Sequence, residues 1–181
     1  MRFVQIAAGV DTLPVLLELH RAEHLWDCNP ERRLYPNTPH AEMVDIVVRY
    51  MPEADVTMEA RRAEHRNVFW PAWHALPSLR PVVFDLMRRV SATELGSILI
   101  TKLPPGGKIL PHSDKGSWAP EFYHAKCHLT LAGTALVRCE DEEARFEAGT
   151  IFTFDNLLMH SIFNAGKADR IVVIISLRCD T

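Results

Sequence analysis

From Gly96 onward every apolar segment has strand length and only turns separate one from the next, so the compact solution is an antiparallel sandwich or barrel. The segments are Ser97 to Leu103, Lys108 to Pro111, Cys127 to Leu131, Ala135 to Cys139, Thr150 to Phe154, Ser161 to Asn164 and Arg170 to Leu177. They are rich in the residues that suit a pleated surface. Pro104-Pro105-Gly106-Gly107, Ala132-Gly133, Ala148-Gly149 and Ala165-Gly166 supply turn chemistry between several of them. Alternation along one strand adds a further constraint. Lys126, His128 and Thr130 fall on one face, while Cys127, Leu129 and Leu131 fall on the other. A polar face inside a small barrel predicts a ligand pocket.

Before Gly96 the dominant period lengthens to three and four. Asp11 is placed to cap a helix with Pro14 in its first turn and Leu13, Leu16, Leu17, His20 and His24 along one side. Ser78 is the expected N-cap of a second helix, with Pro81 in the first turn and Leu79, Val82, Val83, Leu86, Met87 and Val90 on its apolar face. The reading is a single α+β, mainly β domain over residues 1–181. In it, residues 1–95 form a helix-rich flank packed on a core of residues 96–181. Trp26, Trp70 and Trp73 are expected as packing anchors.

With 48% hydrophobic and 24% charged residues, the chain has the composition of a globular protein. A net charge of -3, with the arginines scattered, offers no basic face for nucleic acid. No stretch reaches the roughly 20 apolar residues that span a bilayer, and Asp11 interrupts the short apolar opening, so neither a membrane segment nor a signal peptide is expected. Cys28, Cys127, Cys139 and Cys179 are widely spaced and read as reduced thiols of a cytoplasmic protein. Oligomeric state is not legible.

The chemistry-bearing pattern is His112-Ser113-Asp114 followed at a distance by His160. Two imidazoles and a carboxylate can occupy one face of an iron(II) ion and leave positions open for a chelating ligand and dioxygen. With nine histidines and ten aspartates in 181 residues, a chance His-x-Asp arises in about half of such chains, so the pair alone says little. His40-Ala41-Glu42 is a comparable pair. It reads as a surface-loop histidine beside a glutamate that starts a helix. Context separates the two: a Pro-Gly turn between two strands delivers His112 at the end of the second strand.

Thr101, the turn Pro105-Gly106, Pro111-His112, Lys126-Cys127-His128-Leu129, Gly149-Thr150 through Phe154-Asp155-Asn156, His160, Asn164 and Arg170 together resemble the aspartyl/asparaginyl β-hydroxylase family. The likeness runs from about Gly96 to Leu177. It implies a double-stranded β-helix, that is, a jelly-roll or cupin-like barrel, with Fe(II), 2-oxoglutarate as co-substrate and O2. The implied reaction hydroxylates the side chain of an amino acid, peptide or protein, Asp or Asn among them, and releases succinate and CO2. By the family pattern His112, Asp114 and His160 bind the metal. Arg170 and Thr101 hold the distal carboxylate of 2-oxoglutarate, and Lys126 and His128 lie near its metal-end carboxylate. A guanidinium suits the distal role because it grips a carboxylate with two parallel hydrogen bonds. Arg178 has the same strand parity as Arg170 but lies about 26 Å further along, so only one of them can serve the pocket.

Three departures from the pattern stand out. Asp114 is present where some members lack a carboxylate ligand, and Lys126 replaces an arginine. The His112 to His128 interval is a few residues long, which makes Lys115 to His124 a candidate lid. Arg33 and Arg49 are positioned to meet an acidic substrate, and Arg61-Arg62 and Arg88-Arg89 read as solvated helix faces. Two other functions fit parts of the pattern: a cupin-like metalloenzyme without 2-oxoglutarate, and a non-catalytic barrel that binds a peptide or metabolite.

Overall fold

The computed structural model describes residues 2–52, 67–116 and 123–179. Two antiparallel sheets face each other. The larger runs in the order β1 (Phe3–Ala7), β9 (Ile151–Phe154), β6 (Ala125–Ala132), β11 (Arg170–Cys179), β4 (Ala92–Leu103), β2 (Val44–Tyr50), β3 (Val68–Phe69). The smaller runs β5 (Lys108–His112), β10 (His160–Phe163), β7 (Leu136–Cys139), β8 (Glu142–Arg145). This is a double-stranded β-helix of the jelly-roll kind with helices on one side.

The strand β11 sits at the centre of the larger sheet, between β4 and β6, and its run Ile171 to Ile175 is correspondingly apolar. Alternate residues serve two cores. Val173, Ile175 and Leu177 face outward with Ile98, Ile100 and Leu129 into the core beneath the helices. Leu103, Ile109, Val137, Phe152, Phe154 and Ile162 fill the space between the sheets. The helix-side core is closed by α1 (Leu13–Arg21), α3 (Ala72–Ala75) and α4 (Leu79–Arg89); α2 (Glu31–Leu34) lies at the margin.

The strands foreseen after Gly96 form, with ends shifted by a few residues, and α4 buries Leu79, Val83 and Leu86 on the expected face. Four strands were not foreseen. The helix-rich flank also carries β1, β2 and β3, which join the larger sheet through pairings such as Val4 with Thr153 and Ile46 with Ile100. The fourth, β8, is a polar edge strand that pairs only with β7 and buries none of its residues.

The inward face of α1 also differs from the expected stripe. Val15 and Leu19 are buried, whereas Leu13 and Leu17 are 60% and 47% exposed. Thr12 takes the N-cap position, and Asp11 accepts a hydrogen bond from the Leu13 amide at 3.1 Å. Ser78 occupies the N-cap position of α4, but its hydroxyl turns away from the helix and donates to Glu18 at 2.6 Å. The Glu18 carboxylate also accepts from the Ser78 amide, so a residue of α1 caps α4 and ties the two helices together. The tryptophans anchor as expected: Trp73 stacks on Phe69, Trp70 donates to the Met51 carbonyl, and Trp26 lies under the Lys102 ammonium. No helix among the described residues is long and apolar enough to cross a membrane.

Candidate metal centre and its anion pocket

The turn after β4 is fixed by its own chemistry. Gly106 adopts a left-handed conformation at φ 76°, and its amide donates to the Asn164 carbonyl while the Asn164 amide donates to Gly107. The Asn164 side chain, fully buried, donates to the carbonyls of Leu103 and Ala168 and accepts from the Gly166 amide. One asparagine therefore locks the β4–β5 turn to the β10–β11 turn. Those turns set the register in which His112 of β5 lies directly opposite His160 of β10.

The two imidazole rings are 4.2 Å apart between centroids. Nδ1 of His112 meets the Leu110 carbonyl at 2.8 Å, and Nδ1 of His160 meets the Leu158 carbonyl at 2.9 Å. A carbonyl can only accept, so Nδ1 is the donor in both rings, which leaves Nε2 as the atom each ring can offer a metal. Burial holds the His112 pKa below its ordinary value despite its backbone hydrogen bond, and the neutral ring is the ligating form. Asp114 opens a short 3-10 turn, and its amide donates to the Asn156 carbonyl at 3.0 Å. Its Oδ2 receives the Lys126 ammonium and the Asn156 amide, the latter at 2.8 Å. That leaves Oδ1, which stands 3.7 Å from Nε2 of His112. Burial alone would raise the Asp114 carboxyl, but the Lys126 charge and the two hydrogen bonds hold it well below the usual carboxylate range. Ligand atoms of His112, Asp114 and His160 all lie within 4.8 Å of one another. Two imidazoles that point Nε2 at a common centre and one ionised carboxylate fit a divalent transition metal.

Across the interior, β6 and β11 present His128, Thr130 and Arg170 on the face opposite their helix-side core residues. Arg170 is 2% exposed and fully buried in its side chain, and among the described residues no acid pairs with it. Burial draws its pKa down to about 10. Nη1 of Arg170, Nδ1 of His128 and the hydroxyl of Thr130 are all buried without a hydrogen-bond partner. His128 lies between Phe152 and Phe154, each at 5.1 Å, and burial pushes its pKa far down. A guanidinium without an acid and two unsatisfied polar groups in one interior have the donors to receive an anion.

Other expected site residues stand differently. Thr101 is wholly buried, but its hydroxyl donates to Asp45 at 2.7 Å, and Asp45 in turn pairs with Arg32 at 2.8 Å. The single hydroxyl proton is thus committed to a carboxylate of the protein itself. Lys126, expected beside a co-substrate carboxylate, pairs with Asp114. Arg33 and Arg49 are engaged within the fold: Arg33 pairs with Asp27, and Arg49 donates to the carbonyls of Asn67 and Leu95. Arg178 lies at the far end of β11, opposite Glu94. Arg88 and Arg89 pair with Asp85 on an exposed helix face, as read, whereas Arg61 and Arg62 lie outside the described residues. So do residues 117–122 of the candidate lid; of its flanks, Asp114–Gly116 form the 3-10 turn and Tyr123 is buried with its ring against Gly96.

His40 is the clearest correction. It is not a surface-loop histidine, and β2 rather than a helix follows it. Its ring packs edge-on against His112 at 4.8 Å, and burial lowers its pKa to about 3. Sequence reasoning missed Asp45, Asn156 as the second anchor of Asp114, and the orphaned hydroxyl of Thr130. Thr130 had a signal in its shared strand face with Lys126 and His128, and Asn156 in the run Phe154-Asp155-Asn156; Asp45 had none.

A family model described as aspartyl/asparaginyl β-hydroxylase matches residues 71–179. No sequence among the curated proteins matches the chain. Among solved structures, an oxidoreductase of the 2OG-Fe(II) oxygenase family from Burkholderia pseudomallei is similar over 98% of this chain and 84% of its own, at 14% identity and a TM-score of 0.58. A cupin domain from Bordetella pertussis matches 48% of this chain and 85% of its own, at 16% identity and a TM-score of 0.38. AerE from Microcystis aeruginosa matches 45% of this chain at 22% identity and a TM-score of 0.37. The match spans 35% of AerE, about a third of that protein's length.

Proposed function

The chain belongs to the aspartyl/asparaginyl β-hydroxylase family, and on that premise we propose that it is an Fe(II)- and 2-oxoglutarate-dependent dioxygenase that hydroxylates an amino-acid, peptide or protein side chain. The observation that carries the reading is Arg170, a buried guanidinium without an acid, facing the same interior as the His112, Asp114 and His160 cluster. A metalloenzyme of similar shape that did not use a dicarboxylate would have no need to bury that charge.

His112 and His160 would hold the metal through Nε2 and Asp114 through Oδ1. When bound, the iron with 2-oxoglutarate and O2 supplies the oxidising chemistry, with succinate and CO2 as co-products. The residues of this chain do the rest. The Leu110 and Leu158 carbonyls fix the tautomers and ring planes of the two histidines. Lys126 and Asn156 keep the Asp114 carboxylate ionised and turned so that one oxygen faces the histidines. Arg170 receives the distal carboxylate of the co-substrate, and His128 with the flanking phenylalanines closes the interior against water.

The test is co-substrate turnover. Purified protein with Fe(II) and ascorbate should convert 2-oxoglutarate to succinate, and H112A should abolish that conversion. Conversion by H112A at the wild-type rate contradicts the assignment.

A further inference from the structure

We propose that His40 is a positioning residue of the metal centre, its ring holding His112 in the orientation that aims Nε2 at the metal. This rests on the metal-site reading above. The fold places the two histidine ligands unequally. His160 lies on β10, with a strand on either side, whereas β5, which carries His112, is the edge of the smaller sheet. A backbone carbonyl aims each ring through Nδ1. A second ring packed crosswise then limits its tilt. For His160 that ring is Phe154, at 5.1 Å and 65°, from within the barrel. For His112 it comes from outside the sheet: His40 meets it at 4.8 Å and 84°.

Residues 38–43 are laced to the free edge of β5 as a strap. The Lys108 amide donates to the Glu42 carboxylate at 2.9 Å, and the Leu110 amide to the Pro39 carbonyl at 3.0 Å. Leu110 is thereby held from both sides, its amide by Pro39 while its carbonyl orients His112. The strap has its own anchors. The Thr38 hydroxyl donates to the Arg32 carbonyl at 2.7 Å and accepts from the His40 amide at 3.2 Å. Met43, 1% exposed, is sunk with Leu103 and Ile109 in the core between the sheets. His40 is therefore carried on a segment tied down before, beside and after it.

The part His40 plays is that of a ring and not of a ligand. It stands outside the cluster of ligand atoms that His112, Asp114 and His160 form. Its Nδ1 is buried without a hydrogen-bond partner, so that nitrogen does not hold the ring in place. Phe154 makes the corresponding contact with His160 and has no ring nitrogen. A phenylalanine at position 40 should therefore serve His112 as Phe154 serves His160, and removal of the ring should not.

The experiment loads the protein with Co(II) in place of Fe(II) and reads two quantities. One is affinity, by competition with a chelator; the other is the set of hyperfine-shifted NMR signals from the exchangeable Nδ1 protons of metal-bound imidazoles. The wild type should show two such signals, from His112 and His160. H40A should weaken Co(II) binding roughly tenfold and displace or broaden one signal while the other stays. H40F should restore both the affinity and the signal. E42A, which frees the strap at Lys108 and leaves His40 in place, should disturb the same signal to a smaller degree, and it repeats the test should H40A not fold. Wild-type affinity and signals in H40A, equal disturbance of both signals, or an H40F protein that behaves as H40A would each overturn the assignment. So would three signals in the wild type, which would make His40 itself a ligand. Metal binding that H40A leaves unaltered overturns this inference alone; a wild-type protein that binds no Co(II) overturns the metal-site reading as well.

Discussion

At the scale of single residues, the cost of Arg170 is as informative as its position. A guanidinium buried without an acid loses its hydration and gains no countercharge from the protein. Arg170→Met should therefore stabilise the ligand-free protein by about 1–4 kcal/mol, read as a rise of several degrees in Tm, while abolishing 2-oxoglutarate binding. A fall in Tm would mean that the guanidinium has a partner in the native interior. Asn156 would act at one remove from the proposed metal, because it holds Asp114 together with Lys126. Asn156→Ala should weaken Fe(II) binding roughly tenfold, measured by competition with a chelator; an unchanged affinity would take Asn156 out of the site. The position of His112 was legible because turn chemistry places it, and that of Arg170 because the chain resembles a family. The engagement of Thr101 was not. Its partner Asp45 lies 56 residues earlier in a strand that the sequence reading did not identify, so nothing local announced the contact.

At the scale of elements, periodicity revealed what lies on a continuous apolar face. It recovered α4 and the seven segments after Gly96. It missed β8, whose Glu142–Arg145 run buries no residue and is held only by its hairpin partner β7. It also missed β2, although Ile46 and Val48 alternate with Asp45 and Val47 across its two faces, because helical periods dominate that half. The junction of α1 with α4 was illegible for the same reason as the Thr101 contact: the cap of one helix comes from another, 60 residues away. Glu18→Ala removes an acceptor for both the amide and the hydroxyl of Ser78. It should destabilise the protein by about 1–2 kcal/mol in urea unfolding, with Thr101 and the metal site undisturbed. A loss below a few tenths would assign the capping to water.

At the scale of the whole molecule, one jelly roll carries two interiors with opposite characters. The helix-side core is dry and apolar, and the space between the sheets combines phenylalanines with unsatisfied polar groups. Thiol chemistry reports on the first. Burial pushes the Cys127 thiol from its ordinary value of 9.0 up to about 12, so the unfolded chain loses this proton before the folded one does. The contribution of Cys127 to stability is present below pH 9 and is lost as pH rises toward 12. At pH 8 a thiol reagent should label exposed Cys28 quickly and Cys127 only on global unfolding; rapid labelling of Cys127 would show that this core opens locally. The second interior holds the residues to which we assign the function. Anaerobic addition of Fe(II) and then 2-oxoglutarate to the purified protein, followed by visible absorbance, tests it most directly. The wild type should develop a saturable metal-to-ligand charge-transfer band that Arg170→Ala does not form at the same concentrations. Absence of the band in the wild type, or an equal band in Arg170→Ala, would contradict the account.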